Sequence, residues 1–131
     1  MAISFDKALG IHQHSLGVRA ERAEVLGSNI ANADTPHYKA KDLDFDQALA
    51  GAVSRQSFNL SRSHEKHFDA SIDPQPASKF RVPMHPDTGD GNTVDLQVER
   101  NLFAQNALEY QMTLGFLEGR LGGLKKALRG D

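Results

Sequence analysis

The sequence predicts a mainly α protein, with long N- and C-terminal helices packed as a coiled-coil-like pair and a short loop-rich, β-hairpin middle segment. Three observations carry this. Residues 5–33 contain no proline, while Pro74, Pro76, Pro83 and Pro86 all fall in the middle of the chain. Apolar residues recur every seven positions near both ends. From residue 95 onward that recurrence spans more than four heptads, as expected of a helix lying lengthwise on another helix.

The first element is a helix over residues 5–33, with Ser4 as a reasonable N-cap. At 1.5 Å per residue it would run about 44 Å. Leu9, Leu16, Ala23 and Ile30 form one seven-residue row, with Phe5 and Leu26 on the adjoining line. His12 and Arg19 interrupt that second line, so the seam is narrow and partly polar. Ile11, Val18 and Val25 form another row, and two apolar rows on one helix require more than one neighbour.

Residues 28–41 close this helix. Asn29 and Asn32 stand three apart on its last turns, and Asp34-Thr35-Pro36 ends it. Pro36 has no N–H to donate and disfavours helical geometry at Thr35. Residues 38–45 read as extended or irregular. Asp44 then caps a short helix over residues 45–53, with Gln47 three positions on, as in a capping box. Residues 54–94 carry the weakest folding signals; Phe58-Asn-Leu and Phe80-Arg-Val alternate as two short strands of a hairpin would.

The last helix runs from Asp95. Leu96, Phe103, Tyr110, Leu117 and Leu124 recur at seven-residue spacing, and Ala107, Leu114, Leu121 and Leu128 repeat beside them, an a/d-type seam. Asp95 suits the helix start, Lys125, Lys126 and Arg129 suit its negative end, and Gly130 is the stop. Gly115, Gly119, Gly122 and Gly123 lie inside it; they either admit a close neighbouring backbone or mark a weak end. The expected organisation is one domain built from both termini: residues 1–35, an excursion over 36–94, and residues 95–131.

Composition removes several functions. A formal charge of −2 over 131 residues offers no bulk attraction to nucleic acid. No apolar run approaches the roughly 20 residues that span a bilayer. The N-terminus has neither the basic nor the apolar region of a cleaved secretory signal. Cysteine is absent, so disulfides and thiolate sites are excluded. His64 and His67 are three apart, not the four of a helical zinc site, and no supporting partner is visible for His85 as a third ligand; they read as solvated loop histidines. Ser61 near His64 has no glycine elbow. Nothing assembles a nucleophile, base and orienter, so no enzyme, cofactor or small-molecule substrate is expected.

The spelling of residues 29–39, Asn-Ile-Ala-Asn-Ala-Asp-Thr-Pro-His-Tyr-Lys, resembles the N-terminal signature of the bacterial flagellar axial proteins, the rod, hook and hook-associated subunits. Asn29, Ile30, Asn32, Thr35, Pro36 and Tyr38 carry it. A second motif, with Gly91, Asn92, Val94 and Asp95, looks like the entry to the last helix of a short proximal-rod subunit. The other short rod protein, FlgC, typically enters with Pro-Asn-Val, and the hook and distal rod proteins are much longer. One departure stands out: the family turn usually reads Thr-Pro-Gly-Tyr, and His37 occupies the glycine position. Either His37 takes a positive φ at some strain or the turn is of type I.

The resemblance implies a structural subunit on the periplasmic side of the flagellar basal body, exported by the flagellar type III apparatus without a cleavable signal. It implies as partners further copies of this chain, FlgC and other rod subunits, and the adaptor FliE at the membrane ring. The helix seams would bear the packing and transmit torque, with Asn29 and Asn32 as polar anchors. A non-flagellar coiled-coil adaptor or secretion partner explains the heptads but leaves the 29–39 spelling unaccounted for.

Overall fold

The computed structural model describes residues 9–57 and 78–130. In chain order these form α1 (Ile11–Ala31), β1 (Lys41–Leu43), α2 (Phe45–Ser57), β2 (Ser78–Phe80) and α3 (Leu96–Arg129). The two long helices flank a small middle segment, the arrangement that proline placement and heptads predict.

The expected helix over residues 5–33 is broken at Gly10: Leu9 is helical, α1 proper starts at Ile11, and residues 5–8 lie outside the described residues. Gly10 sits at φ 58°, outside helical geometry, and no side chain caps the first turn. The positive φ favours glycine here; a Cβ would meet only the mobile end of the Arg120 side chain, at 3.2 Å from Nη1. Ser4 lies outside the described residues. At the other end the Asn32 amide donates to Ser28 O and Asn29 O, closing the helix one residue past Ala31.

Helix α3 has both ends where its sequence signals put them. The Asp95 carboxylate accepts from the amides of Gln97 (3.0 Å) and Val98 (3.3 Å), and Gly130 ends the helix at φ 77°, donating to Lys126 O. At 34 residues it is about 51 Å long. Asp44 caps α2, accepting from the Gln47 amide at 3.2 Å.

Helices α1 and α3 run antiparallel. Asn29 meets Glu99, Arg19 meets Asn106 and Glu109, His12 meets Phe116, and Gly10 meets Arg120, in opposite chain order. The packed line between them is mostly polar. Among the described residues the buried apolar set is Val18, Leu26, Ala40 and Leu43, whereas Ser15, Asn29, Asn92, Glu99, Asn106 and Thr113 are buried polar ones.

The strands form an antiparallel pair with Lys41 opposite Phe80, Asp42 opposite Lys79 and Leu43 opposite Ser78. The strand expected at Phe80 is therefore paired with the stretch just after the α1 exit. Residues 58–60, its expected partner, lie outside the described residues. Arg81 explains the choice: its amide donates to Ala40 O at 2.9 Å, and its guanidinium is held by Asp42 and Glu99. No described helix is long and apolar enough to cross a membrane.

Candidate functional site

The exit from α1 and the entry to α3 are one hydrogen-bonded unit. Thr35 O accepts from the Tyr38 amide, which closes a four-residue turn with Pro36 second and His37 third. His37 has φ 63°, the type II sense, so the histidine holds the conformation that glycine would hold without strain. The His37 amide donates to Asp90 O, and the Thr93 amide donates to Tyr38 O, so the two motif segments run side by side.

Asn92 fastens them. Its buried amide nitrogen faces the carbonyls of Asn32, Ala33 and Thr35 at 2.8–3.0 Å, and its Oδ1 accepts from the Val94 amide at 2.8 Å. Two N–H groups serve three carbonyls, so one bond is shared. The Asn32 carbonyl is that of the α1 C-cap, and those of Ala33 and Thr35 belong to the turn that follows it. Thr93 Oγ1 accepts from the Ala40 amide, and Lys39 Nζ donates to Gly91 O, completing the seam.

Asn29 does the equivalent inside the molecule. Fully buried, it donates to Lys41 O (2.7 Å) and Glu99 Oε2 (3.0 Å) and accepts from the Lys41 amide (3.1 Å) and the Tyr38 hydroxyl (3.3 Å). All of its hydrogen-bonding capacity is directed at three other segments. Asn32 stays local, donating to Ser28 O and accepting from the Thr35 hydroxyl.

Charge balances the buried carboxylate. Arg81 pairs with Glu99 through Nη1 and with Asp42 through Nη2, while Arg22 forms a bidentate pair with Asp42 at 2.9 and 3.1 Å. Burial pushes the Asp42 carboxyl up, but the Arg22 hydrogen bond, the Leu43 amide and the charges of Arg22 and Arg81 outweigh it, so its pKa lies below the ordinary value. Helix α1, strand β1, the residue after β2 and helix α3 are thus tied by one Arg–Asp–Arg–Glu chain. Sequence reasoning missed it because its members stand 18 to 39 positions apart.

The expected packing residues divide by position. Leu26 is buried; Leu9, Leu16, Ala23, Ile30, Leu96, Leu117 and Leu124 are half-buried. Phe103, Ala107, Tyr110, Leu114, Leu121 and Leu128 are exposed. The line on α3 that meets α1 is Glu99, Asn106 and Thr113, itself spaced by seven. Gly115, Gly119, Gly122 and Gly123 have nothing within 4 Å of where a Cβ would stand. Among the described residues no cluster of three or more His, Asp or Glu could hold a metal ion; His64 and His67 are outside them.

Two long antiparallel helices joined at such a junction define an axial, rod-type subunit, and the family described as flagella basal body rod protein matches residues 17–39. A flagellar basal body rod protein FlgB of Aeromonas hydrophila is 56% identical over all of this chain and 99% of its own length. Those of Escherichia coli K12, 40% identical over 98% of each chain, and Salmonella typhimurium LT2, 42% identical over 95% of each, agree. The chain belongs to the FlgB family of flagellar basal body rod proteins, a family of structural proteins rather than enzymes.

Proposed function

We propose that the chain builds the proximal rod of the bacterial flagellar basal body, polymerising through α3 to transmit torque. The observation that carries this is the apolar face of α3 left outside the subunit: Phe103 is 41% exposed, Leu114 37%, Leu121 42% and Leu128 76%. Contiguous exposed apolar surface of this kind marks an interface. A contact between unlike surfaces that does not close on itself generates a helical array. The junction supports the reading by setting the angle at which the chain leaves the helix pair. Neighbours of the same reading are further copies of this chain, FlgC and FliE at the membrane ring. Delivery would be through the flagellar type III apparatus to the periplasmic side.

The test is the double substitution Leu114→Asp, Leu121→Asp. The purified variant is expected to keep the helical circular dichroism of the parent, because both side chains face outward. In a strain lacking the chromosomal copy it is expected to abolish swimming at equal expression. Retained swimming would remove the outer face of α3 from the mechanism.

A further inference from the structure

Helix α3 offers two faces that compete for α1. The line that packs is Glu99, Asn106 and Thr113; the apolar rows through Ala107, Leu114, Leu121 and Phe103, Tyr110 are together centred about 70° away at 100° per residue. Apolar burial alone favours turning α3 by that angle onto Val18 and Leu26. We infer that Asn106, seated on Arg19, selects the polar face for packing inside the subunit and so keeps the apolar face free for other subunits. This rests on the assembly reading of that apolar face.

Three features support it. Asn106 is 1% exposed, and its Nδ2 donates to Arg19 O at 2.8 Å, a bond that a rotation of α3 would break. Asn106 Oδ1 and Arg19 Nε are both buried without a hydrogen-bond partner among the described residues. A site kept for stability alone would be apolar or fully satisfied; a single buried polar residue in a helix seam fixes register and partner choice at a cost in stability. Finally, Asn106 carries this line away from the junction. Glu99 holds the same face at the junction end, through Asn29 and Arg81, but the Thr113 hydroxyl turns back to Glu109 O within its own helix, so along the middle of α3 the line reaches α1 through Asn106. The Arg19–Glu109 pair reinforces the seat, with the Arg19 guanidinium 4.6 Å above the Phe45 ring.

The chain has no cysteine, so a His12→Cys, Phe116→Cys pair closed by a short bismaleimide reports register; the native rings are 6.0 Å apart. The dilute parent chain is expected to bridge within one molecule. Asn106→Leu and Asn106→Ala are each expected to lower that bridging on the order of threefold, with bridged dimers rising in the leucine variant. Gln111→Leu, which adds a leucine on the outer face, is expected to bridge like the parent.

Parent-level bridging in a folded Asn106 variant overturns the proposal, and so does equal loss in Gln111→Leu. A parent chain that does not bridge overturns it too. If Asn106→Leu loses its helical circular dichroism, Asn106→Ala decides; loss in both assigns Asn106 an ordinary structural role and overturns the selection. The measurement uses purified chain, so it separates from the rod reading, which stands or falls on swimming of the Leu114→Asp, Leu121→Asp variant.

Discussion

His37 and Gly91 form a strained pair across the junction. His37 is the one described non-glycine residue at positive φ, and a Cβ on Gly91 (φ 73°) would stand 2.8 Å from His37 Nδ1. Histidine tolerates this φ better than most residues but still at a cost. His37→Gly is therefore expected to raise stability by about 0.5–1 kcal/mol in urea unfolding. Gly91→Ala is expected to lower it by more than about 1 kcal/mol, since it adds left-handed strain to a clash. In the double variant the clash is gone, so the loss from Gly91→Ala should shrink; strict additivity would refute the contact. Asp42 sets a second expectation at this scale. Its pKa is lowered on folding, so its contribution is complete above the ordinary value of 3.8 and is lost as pH falls through the folded value. The difference in urea midpoint between the parent and Asp42→Asn should accordingly narrow on acidification from about pH 7 to about pH 3. The strained turn was legible in the sequence because a histidine stands at the third position of the Thr35–Tyr38 turn. The Arg22–Asp42–Arg81–Glu99 chain was not, because ion pairs between distant positions leave no periodic trace.

Among the elements, α3 was the most legible: Asp95 and Gly130 mark its ends, and its heptads mark its period. What the heptads could not tell is which row meets α1. Apolar rows and the Glu99, Asn106, Thr113 row share one period, and hydropathy weighs only the first. The choice is made by groups on other elements, Arg19 O, Asn29 and Arg81, which no local window contains. The same holds for β2, whose partner β1 lies more than thirty positions upstream, with its register set by the α1 exit. The glycines of α3 give this scale its own prediction. Gly115 and Gly119 have open space where a Cβ would be, so Gly115→Ala with Gly119→Ala should strengthen the isolated helix by about 1–2 kcal/mol. In the rod reading that space belongs to a neighbouring subunit, so the same variant is expected to swim less well. Unimpaired swimming would leave these glycines as a weak helix end.

At the scale of the molecule, the polar packed line and the exposed apolar face are two sides of one arrangement. Hydrophobic burial is the main favourable term in folding, and here few large apolar side chains are buried among the described residues. Bonds such as Asn29 to Glu99 and Asn92 to the carbonyls just past α1 specify geometry but add modest net stability each. Much of the apolar surface that would normally close a core is carried by Phe103, Leu108, Met112, Leu114, Phe116 and Leu121 and remains in water. Stability drawn from other chains follows mass action, rising with the concentration of whatever binds the folded form. The isolated chain should therefore melt over a broad range by circular dichroism, with a midpoint that climbs as protein concentration is raised. Leu114→Asp with Leu121→Asp should remove the concentration dependence and leave the dilute midpoint where it was. A sharp, concentration-independent transition in the parent would place the stabilising contacts inside one subunit and defeat the claim that α3 completes its burial between subunits.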